Sequence, residues 1–123
     1  MKIDFDNVIP IYIQIADAIE DDILSGKLNE GDNCYSQVTV AKELNVNPAT
    51  AAKGIRLLVE RGILDKVRGQ AMTIKKGAVG MIKKRKIDEE LGAIIAMLVR
   101  EAEKLGIGEE ELIDKLKSSY KDK

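Results

Sequence analysis

The 123-residue sequence contains no histidine, no tryptophan and a single cysteine, and its aromatic side chains amount to 3% of the chain. Without histidine the usual general base is missing, and neither a Gly-rich phosphate loop nor a Ser nucleophile elbow occurs, so an enzyme is not expected. One thiol cannot form an intrachain disulfide. With no imidazole beside it, there is no ligand set for a structural zinc, and no cofactor is implied. No run of eighteen apolar residues exists to span a bilayer, and the opening Met1-Lys2-Ile3-Asp4-Phe5-Asp6 lacks the basic-then-apolar form of a signal peptide; a cytoplasmic location follows as an expectation.

Hydrophobic residues make up 45% of the chain and charged residues 33%. With aromatics scarce, the core must be built from Ile, Leu, Val and Ala, a mixture that suits helix packing. The formal net charge of −1 is unevenly divided. Residues 1 to 35 carry Lys2 and Lys27 against eight acids, a net −6. Residues 36 to 76 carry Lys42, Lys53, Arg56, Arg61, Lys66, Arg68, Lys75 and Lys76 against Glu43, Glu60 and Asp65, a net +5. Residues 77 to 123 balance at ten of each sign. Only the middle segment carries a field suited to phosphates, although a solvated basic face explains such a run equally well.

Pro10 suits a first helical turn and Gly26 a helix end, and Tyr12, Ile15, Ile19 and Ile23 recur at helical spacing between them. Asp17, Glu20, Asp21 and Asp22 are then expected on the outer face. Ser36 is a candidate N-cap for a short second helix that buries Val40, Ala41 and Leu44. Asn47-Pro48 caps and opens a third helix that runs to Arg61 and stops at Gly62, with Ala51 and Gly54 allowing close approach to the second helix. Residues 63 to 67 and 71 to 74 read as two strands around Arg68-Gly69-Gln70. Cys34 reads as a small buried core thiol.

The glycines between 75 and 80 divide a domain of residues 1 to 76 from a tail of 77 to 123. In the tail, Ile87, Leu91, Ile94, Leu98, Ala102 and Leu105 step by three or four, the spacing of a helix–helix seam. A last helix follows, with Glu109, Glu110 and Glu111 at its start and Leu112, Ile113, Leu116 and Tyr120 on one side. Two such helices cannot make a core alone. A second copy of the chain is the expected cover, through Ile87, Leu91, Ile94, Leu98, Leu105, Leu112 and Leu116. Lys83, Lys84, Arg85 and Lys86, the densest basic run, read as solvated linker or helix surface more readily than as further phosphate contacts.

The order of these elements, with Ile9-Pro10-Ile11-Tyr12, Leu24-Ser25-Gly26-Lys27-Leu28, Val40-Ala41-Lys42-Glu43-Leu44, Asn47-Pro48-Ala49-Thr50, Glu60-Arg61-Gly62-Ile63-Leu64 and Arg68-Gly69-Gln70, resembles the GntR family of bacterial regulators, and within it the short-tailed YtrA-like branch. The resemblance implies a mainly α fold with a small β-hairpin wing: a winged helix-turn-helix followed by a two-helix dimerisation tail. It further implies a homodimer that binds a palindromic double-stranded DNA operator, most often as a repressor and often of a transporter operon. The DNA-contacting positions would be Ser36 and Gln37 at the start of the second helix, Asn47, Ala49, Thr50 and Lys53 on the third, and Lys66, Arg68, Gly69 and Gln70 in the wing. Val38 stands where the family usually has an arginine, and the wing keeps one of its customary glycines. Two other readings stand beside this one: a winged-helix protein-interaction module, and a ligand-gated regulator whose small-molecule effector the sequence does not name.

Overall fold

A computed structural model describes residues 1–122. The chain forms two compact units, Met1–Lys84 and a second from Arg85 onward.

The first unit opens with an arm held along α1 (Ile11–Leu24). The Gln14 side chain accepts from the Asp4 amide at 2.7 Å and donates to the Asp4 and Ile9 carbonyls. Pro10 sits at the N-cap, one residue before the expected first turn, and Gly26, at φ +83, ends the helix after Ser25. Ile15, Ile19 and Ile23 are fully buried, as their spacing predicts. Glu20 is not on the outer face: it is fully buried, because Arg61, 41 residues later, reaches back to it.

Ser36 caps α2 (Gln37–Leu44), its Oγ accepting from the Thr39 amide at 3.1 Å. Asn45 ends it in the left-handed conformation, a role asparagine tolerates through local side-chain bonding. α3 (Pro48–Glu60) has Asn47 as N-cap, Pro48 in its first turn and Gly62 beyond its end at φ +77. The close approach at Gly54 is to α1 and not to α2: a Cβ there would lie 2.7 Å from Ile15 Cγ2. Ala51, Ile55 and Leu58 complete the α3 contribution to the core.

The wing is shorter than the sequence suggests. β1 (Leu64–Asp65) pairs antiparallel with β2 (Thr73–Ile74), Leu64 opposite Ile74 and Asp65 opposite Thr73. Segment 31–34 runs along the other edge of β2: Asn33 bridges Thr73, Ile74 N–H donates to Asp32 O, and Cys34 N–H donates to Met72 O. α4 (Ala78–Arg85) begins before Gly80 and contributes Ala78 and Ile82 to the same core. The boundary drawn from the sequence, between 76 and 77, falls just before this helix.

In the second unit a π-helical segment, Lys86–Leu91, precedes α5 (Gly92–Lys104), with Gly92 N–H donating to Ile87 O five residues back. α6 (Glu109–Lys121) follows a turn at Gly106, and its first turn carries the three glutamates that favour the positive end of a helix. Among the described residues of this unit only Ala102 is buried. No helix among the described residues is long and apolar enough to cross a membrane.

Candidate nucleic-acid interface

Three short stretches carry the candidate contacts: the start of α2, the first turns of α3 and the loop between β1 and β2. Neither α2 nor α3 has an acidic residue in its first turn, so the positive end of each helix macrodipole is not neutralised by its own side chains.

Ser36 and Gln37 are exposed at the start of α2. Besides capping, Ser36 Oγ donates to Thr39 Oγ1 at 2.9 Å, which fixes the first turn. On α3, Asn47 Oδ1 accepts from the Ala49 amide at 2.8 Å, so its side chain is engaged as a cap. Ala49 and Lys53 are exposed and Thr50 is half-buried. Lys53 Nζ lies 4.1 Å from the centre of the Tyr12 ring, a cation–π contact worth roughly 0.5–1 kcal/mol at an exposed site, which positions the ammonium without neutralising it.

Lys66, Arg68, Gly69 and Gln70 are all exposed in the wing loop. Gln70 N–H donates to Val67 O at 3.0 Å, and Gly69 sits at φ +78, a conformation that favours glycine at the tip. Ser36, Gln37 and Lys66 line one cavity between α2, α3 and the wing, so two of the three stretches converge. Arg56 lines it as well, one turn after Lys53; sequence reasoning counted its charge and missed its place, although its spacing on α3 was the available signal. Among the described residues, Lys53, Arg56, Lys66 and Arg68 form no ion pair. Arg61 differs: it is spent internally on Asp17 and Glu20, each 3.0 Å away.

The loop that leads into α2 is tied to α1 by Tyr35, whose hydroxyl donates to Asp22 Oδ2 at 2.6 Å. Burial, with Asp22 second, pushes the phenol pKa up. Cys34 is buried in the core, and desolvation pushes its thiol up to about 11, so it is a packing group with little thiolate. In the basic run, Lys83 and Lys84 are exposed while Lys86 pairs with Glu90 at 3.5 Å.

Of the tail residues expected at a seam, Ile87, Leu91, Ile94, Leu98, Leu105 and Leu116 are exposed and Leu112 is half-buried. More apolar side chains are exposed than that seam contains: Ile95, Met97 and Val99 on α5 and Ile113 on α6.

No family model matches the chain. The HTH-type transcriptional regulator YhcF of Bacillus subtilis is 30% identical over 110 residues, 89% of this chain and 88% of that protein. The mannosyl-D-glycerate transport/metabolism system repressor MngR of Escherichia coli is 34% identical over 70 residues, 57% of this chain; the chain spans only 29% of that longer protein. Among solved structures, a transcriptional regulator of the GntR family from Bacteroides thetaiotaomicron is 30% identical with a TM-score of 0.66, covering 91% of this chain and 96% of that one.

Proposed function

The chain belongs to the GntR family of transcription regulators, winged-helix DNA-binding proteins and not enzymes, and from that premise we propose that it is a cytosolic homodimeric repressor that occludes a promoter by binding a two-fold related operator. The observation that carries this reading is that Lys53, Arg56, Lys66 and Arg68 have no ion-pair partner among the described residues and that two of them, Arg56 and Lys66, converge with the uncompensated N-terminus of α2. Such groups neutralise phosphates and fix register, while the α3 side chains Ala49 and Thr50 are offered to base edges. Asn47 and Ser36 act chiefly as caps and present backbone amides.

The dimer rests on the apolar face of π segment and α5, where Ile87 is 56% and Ile94 61% exposed in a single chain. So much apolar surface on one helical face calls for a partner, and a second copy supplies the self-complementary one. The short two-helix tail fits the YtrA-like branch. Control of a transporter operon is drawn from MngR, the name of which refers to a transport system.

Val38, 73% exposed at the start of α2 where the family usually has an arginine, favours a second reading in which the winged helix binds a protein. Fluorescence anisotropy with duplex DNA separates the two. Replacing Lys53, Lys66 and Arg68 with glutamine should weaken DNA binding and make its dependence on log salt shallower by about 3, one unit per lost phosphate contact. Unchanged binding would remove the interface described above.

A further inference from the structure

Between α3, the start of α2 and the wing lies a cavity of ≈ 330 Å³. Its walls are apolar: Ala52, Ile55 and Val59 on α3, and Met72 from the wing side. Arg56 and Lys66 stand at it, no lining residue is Asp or Glu, and neither cation has an ion-pair partner among the described residues. The volume falls in the range of small-molecule sites, and apolar walls with a few convergent polar groups are the usual composition of such sites.

We propose that this cavity binds a small amphipathic carboxylate, its apolar body against Ile55, Val59 and Met72 and its carboxylate on Arg56 and Lys66. The body displaces water that the walls cannot hydrogen-bond, and the head pairs two cations that have no ion-pair partner among the described residues. Because Ser36, Gln37 and Lys66 line the cavity and are also candidate phosphate contacts, an occupied cavity competes with DNA. The carboxylate is therefore an effector that releases the operator, and DNA weakens carboxylate binding by the same factor. The coupling rests on the DNA-binding reading above; the cavity itself does not.

The test titrates the full chain with octanoate, and with 1-octanol as its neutral counterpart, below their aggregation thresholds, by calorimetry, with DNA anisotropy in parallel. The expected result is saturable binding of one octanoate per chain, about fivefold or more tighter than the alcohol because the head is charge-assisted. Arg56→Gln should weaken octanoate and leave the alcohol unchanged, and Arg56→Gln with Lys66→Gln should bring octanoate down to the alcohol's level. Val59→Phe should abolish binding by filling the cavity, with Ala52→Leu as a second filling variant should the first lose its cooperative melt.

Absence of saturation, equal affinity for acid and alcohol, or binding unmoved by Arg56→Gln and by the filling variants would overturn the site; the last would put octanoate on another apolar surface, such as α5. Octanoate that fills the cavity yet leaves DNA affinity unchanged would overturn the competition. Variant-sensitive octanoate binding by a chain that binds no DNA would leave the site and overturn the repressor reading. DNA binding with no octanoate binding would overturn the site alone.

Discussion

Arg61 Nη1 lies 3.0 Å from Glu20 Oε1, and the Glu20 side chain is fully buried. The pair joins the third turn of α1 to the C-cap of α3, so the helix that carries Ala49, Thr50 and Lys53 is locked by charge to the helix beneath it. Asp17, at 3.0 Å on the same nitrogen but 37% exposed, adds less, because solvent screens it.

Removing one partner of a buried ion pair costs more than the pair contributes, since the remaining charge stays desolvated. Arg61→Ala should therefore destabilise the first unit in urea denaturation by more than the ~0.2–1 kcal/mol that an exposed pair contributes. A loss below about 0.5 kcal/mol, the scale of an exposed pair, would mean that Glu20 is not held as described.

Gly54 and Gly80 are both helical and should respond oppositely to alanine. At Gly54 a Cβ would meet Ile15 Cγ2 at 2.7 Å and Ile15 Cβ at 2.9 Å, so the strain of overpacking, about 1–3 kcal/mol, offsets or exceeds the helix-propensity gain of roughly 1 kcal/mol. At Gly80 a Cβ meets nothing within 4 Å, and only the propensity gain remains. Thermal melts should show Gly54→Ala lowered and Gly80→Ala raised. The reverse order would contradict the α1–α3 contact.

Glu30 accepts from the Gly77 amide at 2.9 Å and the Val79 amide at 3.1 Å, capping the start of α4. These bonds, Gly77 first, hold its carboxyl below the ordinary value of 4.5. A depressed folded-state pKa contributes stability that is present above 4.5 and is lost as pH falls from there through the lower folded value. Glu30→Gln should flatten that part of the acid limb of stability against pH and leave the slope above it alone. An unchanged acid limb would sink the assignment.

The caps are the part of this fold that the sequence states most openly. Ser36, Asn47-Pro48 and Gly62 act through bonds and dihedrals within three residues of themselves, so their meaning survives without knowledge of the tertiary structure. Glu20 and Gly54 depend on partners far along the chain. An acid among acids on α1 reads as solvated until Arg61 is known to reach it, and a glycine in α3 does not say which helix comes close. Segment 31–34 was likewise hidden, since Gly31-Asp32-Asn33 carries turn chemistry and no alternation, yet it lines the edge of β2. In the tail, the three- and four-residue steps picked out apolar residues that are exposed in the single chain, but the π segment and the further exposed side chains of Ile95 and Val99 lie outside a strict heptad pattern.

The exposed tail face gives its own prediction. Leu91→Glu with Leu98→Glu, at 46% and 37% exposure in the single chain, should leave the first unit folded and convert a dimer to a monomer in sedimentation equilibrium. A double variant that remains dimeric would move the interface elsewhere.

The most direct test of the central claim is selection of bound sequences from a random duplex pool by the purified chain at near-physiological salt, where phosphate attraction fades and base readout persists. A two-fold related operator predicts enrichment of an inverted repeat with half-sites about one helical turn, or a small multiple, apart. A folded, dimeric sample that enriches no sequence would contradict it.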